Sequence, residues 1–173
     1  MQKFLMCASL AFMCSGALIA QAEESELSIQ ARHDQLLADL PNLVEAEPFS
    51  MYMSYRSNEY AADAKYKGQW INVKGYVDKV RPDFYSREPV VDVVSAKGMT
   101  QSVTLKLFSY QITSHDDNGY YTASRQQTIE GLTANMPVVA NCQVVGKSRL
   151  QEVVLDNCLI YTTHTYNQLY QAK

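Results

Sequence analysis

Hydrophobic and polar residues alternate along the second half of the chain, as β-strands require. From residue 70 to residue 78 the apolar and polar side chains fall on opposite faces, which predicts a half-buried strand. Four further segments have a similar pattern and are separated by turn residues: 89–95, 102–108, 136–146 and 152–161. Five short strands in succession predict a small barrel or sandwich, so the expected fold class is mainly β.

The segment before these strands has helical periodicity instead. One helix is predicted between residues 29 and 40, where four apolar residues have helical spacing and Pro41 ends the pattern. Residues 51–66 contain neither glycine nor proline and predict a second helix, which Gly68 would end as a C-cap residue. The apolar side of this second helix is predicted to consist of Met53, Tyr60, Ala61 and Ala64.

The first 22 residues have the pattern of a secretory signal peptide. Lys3 precedes a long apolar run without charge, and Ala20-Gln21-Ala22 supplies small residues at a cleavage site. The alternative is a membrane anchor, for which a run of about 17 apolar residues lies at the short limit. Cys7 and Cys14 follow bulky Phe and Met residues, so lipidation is not expected. The mature chain is therefore predicted to begin at Glu23.

The mature chain is predicted to have three parts: an acidic helical extension at 23–50, a strand-rich domain with its N-terminal helix at 51–161, and a polar tail at 162–173. Without the leader the chain has 14 basic and 18 acidic side chains. Binding to a phosphate backbone depends on Lys and Arg, so this balance argues against a nucleic-acid partner. The segment 52–108 has nine basic and six acidic residues, which keeps that alternative open.

Cys142 and Cys158 are the cysteines that remain after cleavage. An even number in an oxidising compartment favours one disulfide, and the alternatives are two free thiols or a metal site. In an antiparallel hairpin whose loop centres on Leu150, these two residues lie opposite each other. The chain has no Asn-x-Ser/Thr sequon, which is in keeping with a bacterial periplasm. We therefore expect a periplasmic or secreted protein.

Two pairs of segments resemble a known family. The run Tyr55-Arg56-Ser57-Asn58-Glu59-Tyr60-Ala61-Ala62-Asp63-Ala64-Lys65-Tyr66-Lys67-Gly68 and the following Ile71-Asn72-Val73-Lys74-Gly75-Tyr76-Val77 resemble the tRNA_anti-like OB-fold domain. The segments 138–142 and 153–160 are similar to that family's closing hairpin, in which a Cys-bearing strand precedes a hydrophobic strand with Asn-Cys. The resemblance covers about 51–161 and implies a five-stranded OB barrel behind an N-terminal helix, often exported. It implies no catalytic residues.

Known enzyme signatures are missing from the sequence. It has no Gly-x-Ser-x-Gly, P-loop or His-Glu-x-x-His motif, so neither catalysis nor a cofactor is expected. His115 stands beside two aspartates in a turn pattern, which we interpret as a solvated loop rather than a metal site. The Tyr-rich insert at 109–128 is predicted to be irregular. The chain has 12 tyrosines, and this excess is consistent with a protein-contact surface.

An OB fold commonly binds its ligand on the second and third strands and the loops beside them. Strand alternation predicts that the outward residues of the first three strands form this surface: Lys74, Tyr76, Asp92, Thr104, Lys106 and Phe108. The alternative is that the N-terminal helix or the insert covers the aromatic residues. We expect an exported, non-enzymatic module that binds a protein or envelope component, with an oligosaccharide or nucleic acid as the alternative ligand.

Overall fold

The computed structural model describes residues 38, 43–108, 110–116 and 119–170. Every element named below lies within the compact unit of residues 40–173. The predicted leader lies outside the described residues, as does the predicted helix at 29–40 apart from residue 38. The elements are, in chain order, β1 (Val44–Ala46), α1 (Pro48–Ser57), α2 (Glu59–Tyr66), β2 (Trp70–Pro82), β3 (Pro89–Val94), β4 (Ser102–Leu107), β5 (Tyr110–Asp116), β6 (Gly119–Ser124), α3 (Arg125–Glu130), β7 (Pro137–Lys147), β8 (Val153–Thr162) and α4 (Thr163–Tyr170).

Five strands form a closed barrel. They are hydrogen-bonded in the order β2, β3, β4, β8, β7, and β2 pairs again with β7 to close the ring. All pairings in the ring are antiparallel except that between β4 and β8. The short strand β1 adds to β2 in parallel. This is the OB topology, so the predicted mainly β barrel behind N-terminal helices is confirmed.

Strand β2 pairs with two different neighbours along its length. Its first half pairs with β7 and its second half with β3, and the change of partner falls at Gly75 and Tyr76. The register with β3 shifts between Val77 and Lys79, which marks a bulge. A bulge reverses which alternate residues face outward. Arg81 therefore joins Lys79 on the outer surface of β2, beyond the end of the strand predicted at 70–78.

The two N-terminal helices contribute to the same buried core as the barrel. Their buried residues there are Met51, Tyr55, Ala62 and Tyr66. The predicted apolar side of a single helix was wrong, since Met53 is 37% exposed and Tyr60 91% exposed. The reason is a break at Asn58, which has an extended backbone and accepts a hydrogen bond from the Ala61 N–H at 3.1 Å. This cap starts a new helix and changes the helical phase.

The predicted disulfide between Cys142 and Cys158 is confirmed, with the two Cα atoms 4.2 Å apart. It joins β7 to β8, and both residues are completely buried. Asn141 pairs with Leu159, which matches the register expected for a hairpin centred on Leu150. The link therefore fastens the two strands that close the barrel.

The insert between β4 and β7 differs from the prediction of irregular structure. It forms the antiparallel hairpin β5–β6, whose register pairs Asp116 with Gly119. The turn residues were recognised in the sequence, but the strands on either side lack the aliphatic alternation that reveals a buried face. The tyrosine side chains of this hairpin lie outside the described residues. After the barrel, the predicted polar tail begins with helix α4. Within the described ranges, no helix is long and apolar enough to span a bilayer.

Candidate ligand-binding face

An ion-pair network occupies the outer surface of β3 and β4. Arg81 donates from Nε to Asp92 Oδ2 at 2.7 Å and from Nη2 to Glu152 Oε1 at 2.7 Å. Thr104 Oγ1 donates to Asp92 Oδ1 at 2.8 Å. Asp92 and Thr104 are each 3% exposed, because Arg81 and its partners lie against them. We call this surface, which also includes Lys79 and Lys106, the β3–β4 face.

The cations of the β3–β4 face are already paired with carboxylates. Lys79 lies 3.9 Å from Asp92, and Lys106 lies 3.3 Å from Asp83. The hydrogen bond from Arg81 to Asp92 raises the pKa of the guanidinium above its usual range, despite partial burial. The face therefore has little uncompensated positive charge with which to attract a phosphate backbone.

Two loops border this face, and the first comprises residues 83–88. The Asp83 carboxylate accepts hydrogen bonds from the backbone N–H groups of Tyr85 and Ser86, both at 2.9 Å. The pKa of Asp83 is lowered to about 2. The main cause is the hydrogen bond from the Ser86 N–H, and the Tyr85 N–H and the Lys106 ammonium lower it further. An ionised Asp83 thus holds the loop closed on itself and fastens it to β4.

The second loop comprises residues 148–152 and is fastened in the same way. Ser148 Oγ accepts hydrogen bonds from the N–H groups of Leu150 and Glu152, both at 3.2 Å. The carboxylate of Glu152 pairs with Arg81 at 2.7 Å. We call the two loops the rim loops, because ion pairs tie each of them to the β3–β4 face.

The rim loops expose large apolar side chains to solvent. Phe84 is 61% exposed, Tyr85 is 64% exposed and Leu150 is 42% exposed. The rings of Phe84 and Tyr85 meet edge to face, with their centroids 5.1 Å apart. Arg87 and Arg149 are exposed on the same loops and have no carboxylate partner in the part of the chain that the structure describes. The rim loops therefore combine aromatic surface with available guanidinium groups.

The six residues predicted as a ligand-binding surface are divided among three places. Asp92, Thr104 and Lys106 belong to the β3–β4 face, where the first two are buried within the network. Phe108 is 9% exposed and stacks on Trp70 with ring centroids 6.4 Å apart. The contact that covers this ring comes from Trp70 of β2, whereas the alternative interpretation named the N-terminal helix or the insert as the cover. A ligand-binding role for the six residues stays a prediction.

Lys74 and Tyr76 line a separate groove on the outer side of β2. This groove has a volume of about 420 Å³ and lies between β2, the start of β7 and helix α4. We call it the α4 groove. Among the residues that line it are Lys74, Tyr76, Ser95, Val139, Thr163 and Asn167. It adjoins a buried hydrogen bond from Asn72 Nδ2 to the Tyr166 hydroxyl, 3.0 Å long, which fastens α4 to the barrel.

Sequence reasoning missed Arg81 and Glu152, the residues that organise the β3–β4 face. Arg81 lies beyond the strand predicted at 70–78, because the bulge after Val77 has no signature in the hydrophobic pattern. Glu152 begins a strand predicted from its aliphatic residues, and its ion pair spans 71 residues of sequence. Within the described residues, no three potential metal ligands come together.

Comparisons with known proteins agree with this architecture. The sequence profile of the tRNA_anti-like family matches residues 1–160. A predicted nucleic acid-binding lipoprotein of Klebsiella pneumoniae has a similar structure, with a TM-score of 0.50 and 12% identity over 71% of this chain and 95% of that one. At this identity the likeness shows a common fold. No curated protein sequence matches the chain at a significant level.

Two other solved structures have lower similarity. OBody AM1L10, solved in complex with hen egg-white lysozyme, has a TM-score of 0.38 and 17% identity over 57% of this chain and 82% of that one. A predicted aspartyl-tRNA synthetase of Leishmania major has a TM-score of 0.41 and 11% identity over 69% of this chain and 20% of that one. Similarity at this level supports no functional conclusion.

Proposed function

The chain belongs to the tRNA_anti-like family of OB-fold domains, and from that premise we propose that it is an exported, non-enzymatic binding module for a protein of the cell envelope. The binding surface in this proposal is formed by the rim loops on either side of the β3–β4 face. The main support is that the charged side chains of this face pair with one another, whereas the rim loops expose apolar side chains.

The ion pairs favour a protein partner over a nucleic acid. A phosphate that bound Arg81 would have to displace Glu152 or Asp92, and Asp92 has a side chain only 4% exposed. Removing one partner from a buried pair leaves the other charge uncompensated, which costs several kcal/mol. A protein that docks on the rim loops leaves these pairs intact. Aromatic and arginine side chains are also the residues most enriched at the energetic centres of protein interfaces.

The rim loops are pre-organised for binding. Each is tied to the barrel by an ion pair, and each contains a non-glycine residue in the left-handed region, Arg87 with φ 64° and Gln151 with φ 68°. Such backbone strain is tolerated where the surrounding contacts fix the loop, and it is common at binding sites. A loop held in one conformation loses less entropy on binding.

Export is supported by two independent features. The leader pattern ends at Ala22, and the disulfide between Cys142 and Cys158 is typical of oxidising compartments. A buried disulfide that fastens the closing hairpin would give little benefit in a reducing cytoplasm. These features support a periplasmic or secreted location for the mature chain.

A capture experiment tests the proposal. Residues 23–173, oxidised and tagged, are incubated with envelope extract, with and without nuclease, and any captured protein is identified and its affinity measured with purified components. We expect nuclease-resistant capture. The double variant Phe84→Ala/Tyr85→Ala should weaken the affinity by about tenfold or more, as expected for anchoring aromatic residues.

Tyr60→Ala is the matched control, because Tyr60 is 91% exposed and lies on α2, outside the rim loops. An equal loss of affinity in this variant would contradict the assignment of the surface. The exposed Arg87 and Arg149 support nucleic acid as the second candidate. Tight binding of a labelled single-stranded oligonucleotide at physiological salt, with a steep decrease at higher salt, would replace the protein-binding proposal with this one.

A further inference from the structure

The α4 groove has the size and lining of a small-ligand site. Its volume of about 420 Å³ lies within the usual range for such sites, toward the lower end. Part of its surface is apolar and comes from Pro137, Val138 and Val139, where β7 begins. Two tyrosines, Tyr76 and Tyr166, also line it. A ligand of about one sugar ring would fit this space.

Polar groups converge on the groove from several elements. Ser95 Oγ accepts a hydrogen bond from the Phe49 N–H at 2.8 Å, so its own hydroxyl hydrogen can be donated elsewhere. Thr163 and Asn167 line the groove, and their side chains make no hydrogen bond to other residues that the structure describes. Hydroxyl and amide groups around an apolar and aromatic surface suit a ligand with several hydroxyl groups.

The charges near the groove favour an anion. Among the described residues that line it, none is acidic and Lys74 is basic, although Lys74 pairs with Glu45. The Lys97 ammonium lies 5.5 Å from the centroid of the Tyr76 ring and has no carboxylate partner among the described residues. Lys97 is therefore a cation beside Tyr76 that is available to a ligand.

We propose that the α4 groove binds a hydroxyl-rich anion of monosaccharide size, with its ring against Tyr76 and its anionic group at Lys97. This site is separate from the rim loops. Lys74 and Tyr76 lie before the bulge of β2, whereas Lys79 and Arg81 of the β3–β4 face lie after it. The proposal therefore does not depend on the proposed protein partner.

Titration calorimetry of the oxidised mature chain tests the site with four probes: glucuronate, glucose 1-phosphate, glucose and inorganic phosphate. We expect one or both anionic sugars to bind with a Kd of about 1 mM or tighter. Glucose should bind about tenfold more weakly, because it lacks the charge-assisted contact. Inorganic phosphate should bind at least as weakly as glucose, because it lacks the ring. The two anionic sugars distinguish a carboxylate from a phosphate as the preferred anion.

Variants locate the binding. Lys97→Gln should reduce the affinity for the anionic sugar to that for glucose, and Asn167→Ala should weaken both sugars. Lys65→Gln is the matched control, because its ammonium lies 4.5 Å from the centroid of another tyrosine ring, that of Tyr66, and outside the groove. Thermal melts check that each variant is folded.

Three outcomes would overturn the proposal. The first is that neither anionic sugar binds up to tens of millimolar. The second is that glucose or inorganic phosphate binds as tightly as the anionic sugars. The third is that Lys65→Gln lowers affinity as much as Lys97→Gln does. Since Lys97→Gln leaves the rim loops unchanged, capture of the envelope protein by this variant should equal that of the wild type, so the two proposals can fail separately.

Discussion

Replacing Gly75 with alanine tests the packing at the point where β2 changes partner. A Cβ atom at this position would lie 2.4 Å from the Val94 carbonyl oxygen and 2.7 Å from Val93 Cγ1. The first contact is about 1 Å shorter than an ordinary van der Waals contact, and the atom is part of the backbone of β3. Strand β2 would have to move away from β3, which strains the hydrogen bonds around it. We expect a loss of about 3 kcal/mol, the upper part of the range for overpacking.

The assay is chemical and thermal unfolding of the oxidised mature chain. For a domain of this size, about 3 kcal/mol corresponds to a Tm lower by about 6–12 °C. Gly131→Ala is the control, because its Cβ would meet nothing nearer than 3.6 Å and its φ is not left-handed. The control should change stability by less than about 1 kcal/mol. If Gly75→Ala unfolds within about 0.5 kcal/mol of the wild type, the close approach of β2 and β3 is wrong.

Three further predictions concern stability. Cys158→Ser should lose about 3 kcal/mol in denaturant unfolding, as expected from the loop that the disulfide closes, and labelling of the denatured, unreduced wild-type mature chain should find no free thiol. Phe108→Ala should cost about 3–4 kcal/mol in thermal melts because the ring is buried against Trp70, whereas Tyr85→Ala should stay within about 0.5 kcal/mol. The folded-state pKa of Asp83, about 2, lies below its unfolded value of about 4. The stabilisation from Asp83 is therefore present above pH about 4 and is lost as the pH falls toward 2. In unfolding experiments at several pH values, Asp83→Asn should remove this part of the acid dependence.

The barrel could be predicted from the sequence because its signals are local or paired in a simple way. Aliphatic alternation marks the strands, and the closing hairpin follows from a loop that centres on Leu150. The division of the N-terminal helix at Asn58 was missed, since residues 51–66 all tolerate helix and the cap depends on one side-chain hydrogen bond. The hairpin β5–β6 was missed because its residues do not alternate as a buried strand does.

The candidate surfaces were harder to predict because they depend on the bulge in β2. A sequence pattern with a period of two puts Lys74, Tyr76 and Asp78 on one face. It does not reveal the extra residue between Val77 and Lys79 that shifts the pairing with β3. One shift in the pairing separates the α4 groove from the β3–β4 face. The pairing of Arg81 with Glu152 is fixed by four adjacent strands, so it could not be read from either residue's local sequence.

The same ion pairs determine how each candidate partner should respond to salt. A ligand whose phosphates take the place of Asp92 and Glu152 beside Arg81 must compete with carboxylates that are already 2.7 Å from the guanidinium. Its affinity falls further at high salt, because salt screens the remaining electrostatic attraction. A protein that binds through Phe84, Tyr85 and Leu150 gains mainly from burial of apolar area, which salt does not weaken. The network stays closed during such binding, so the rim loops keep the conformation in which they are held. Because the charges of this face are paired internally, it favours a partner that is recognised by shape and apolar contact over one that is recognised by charge.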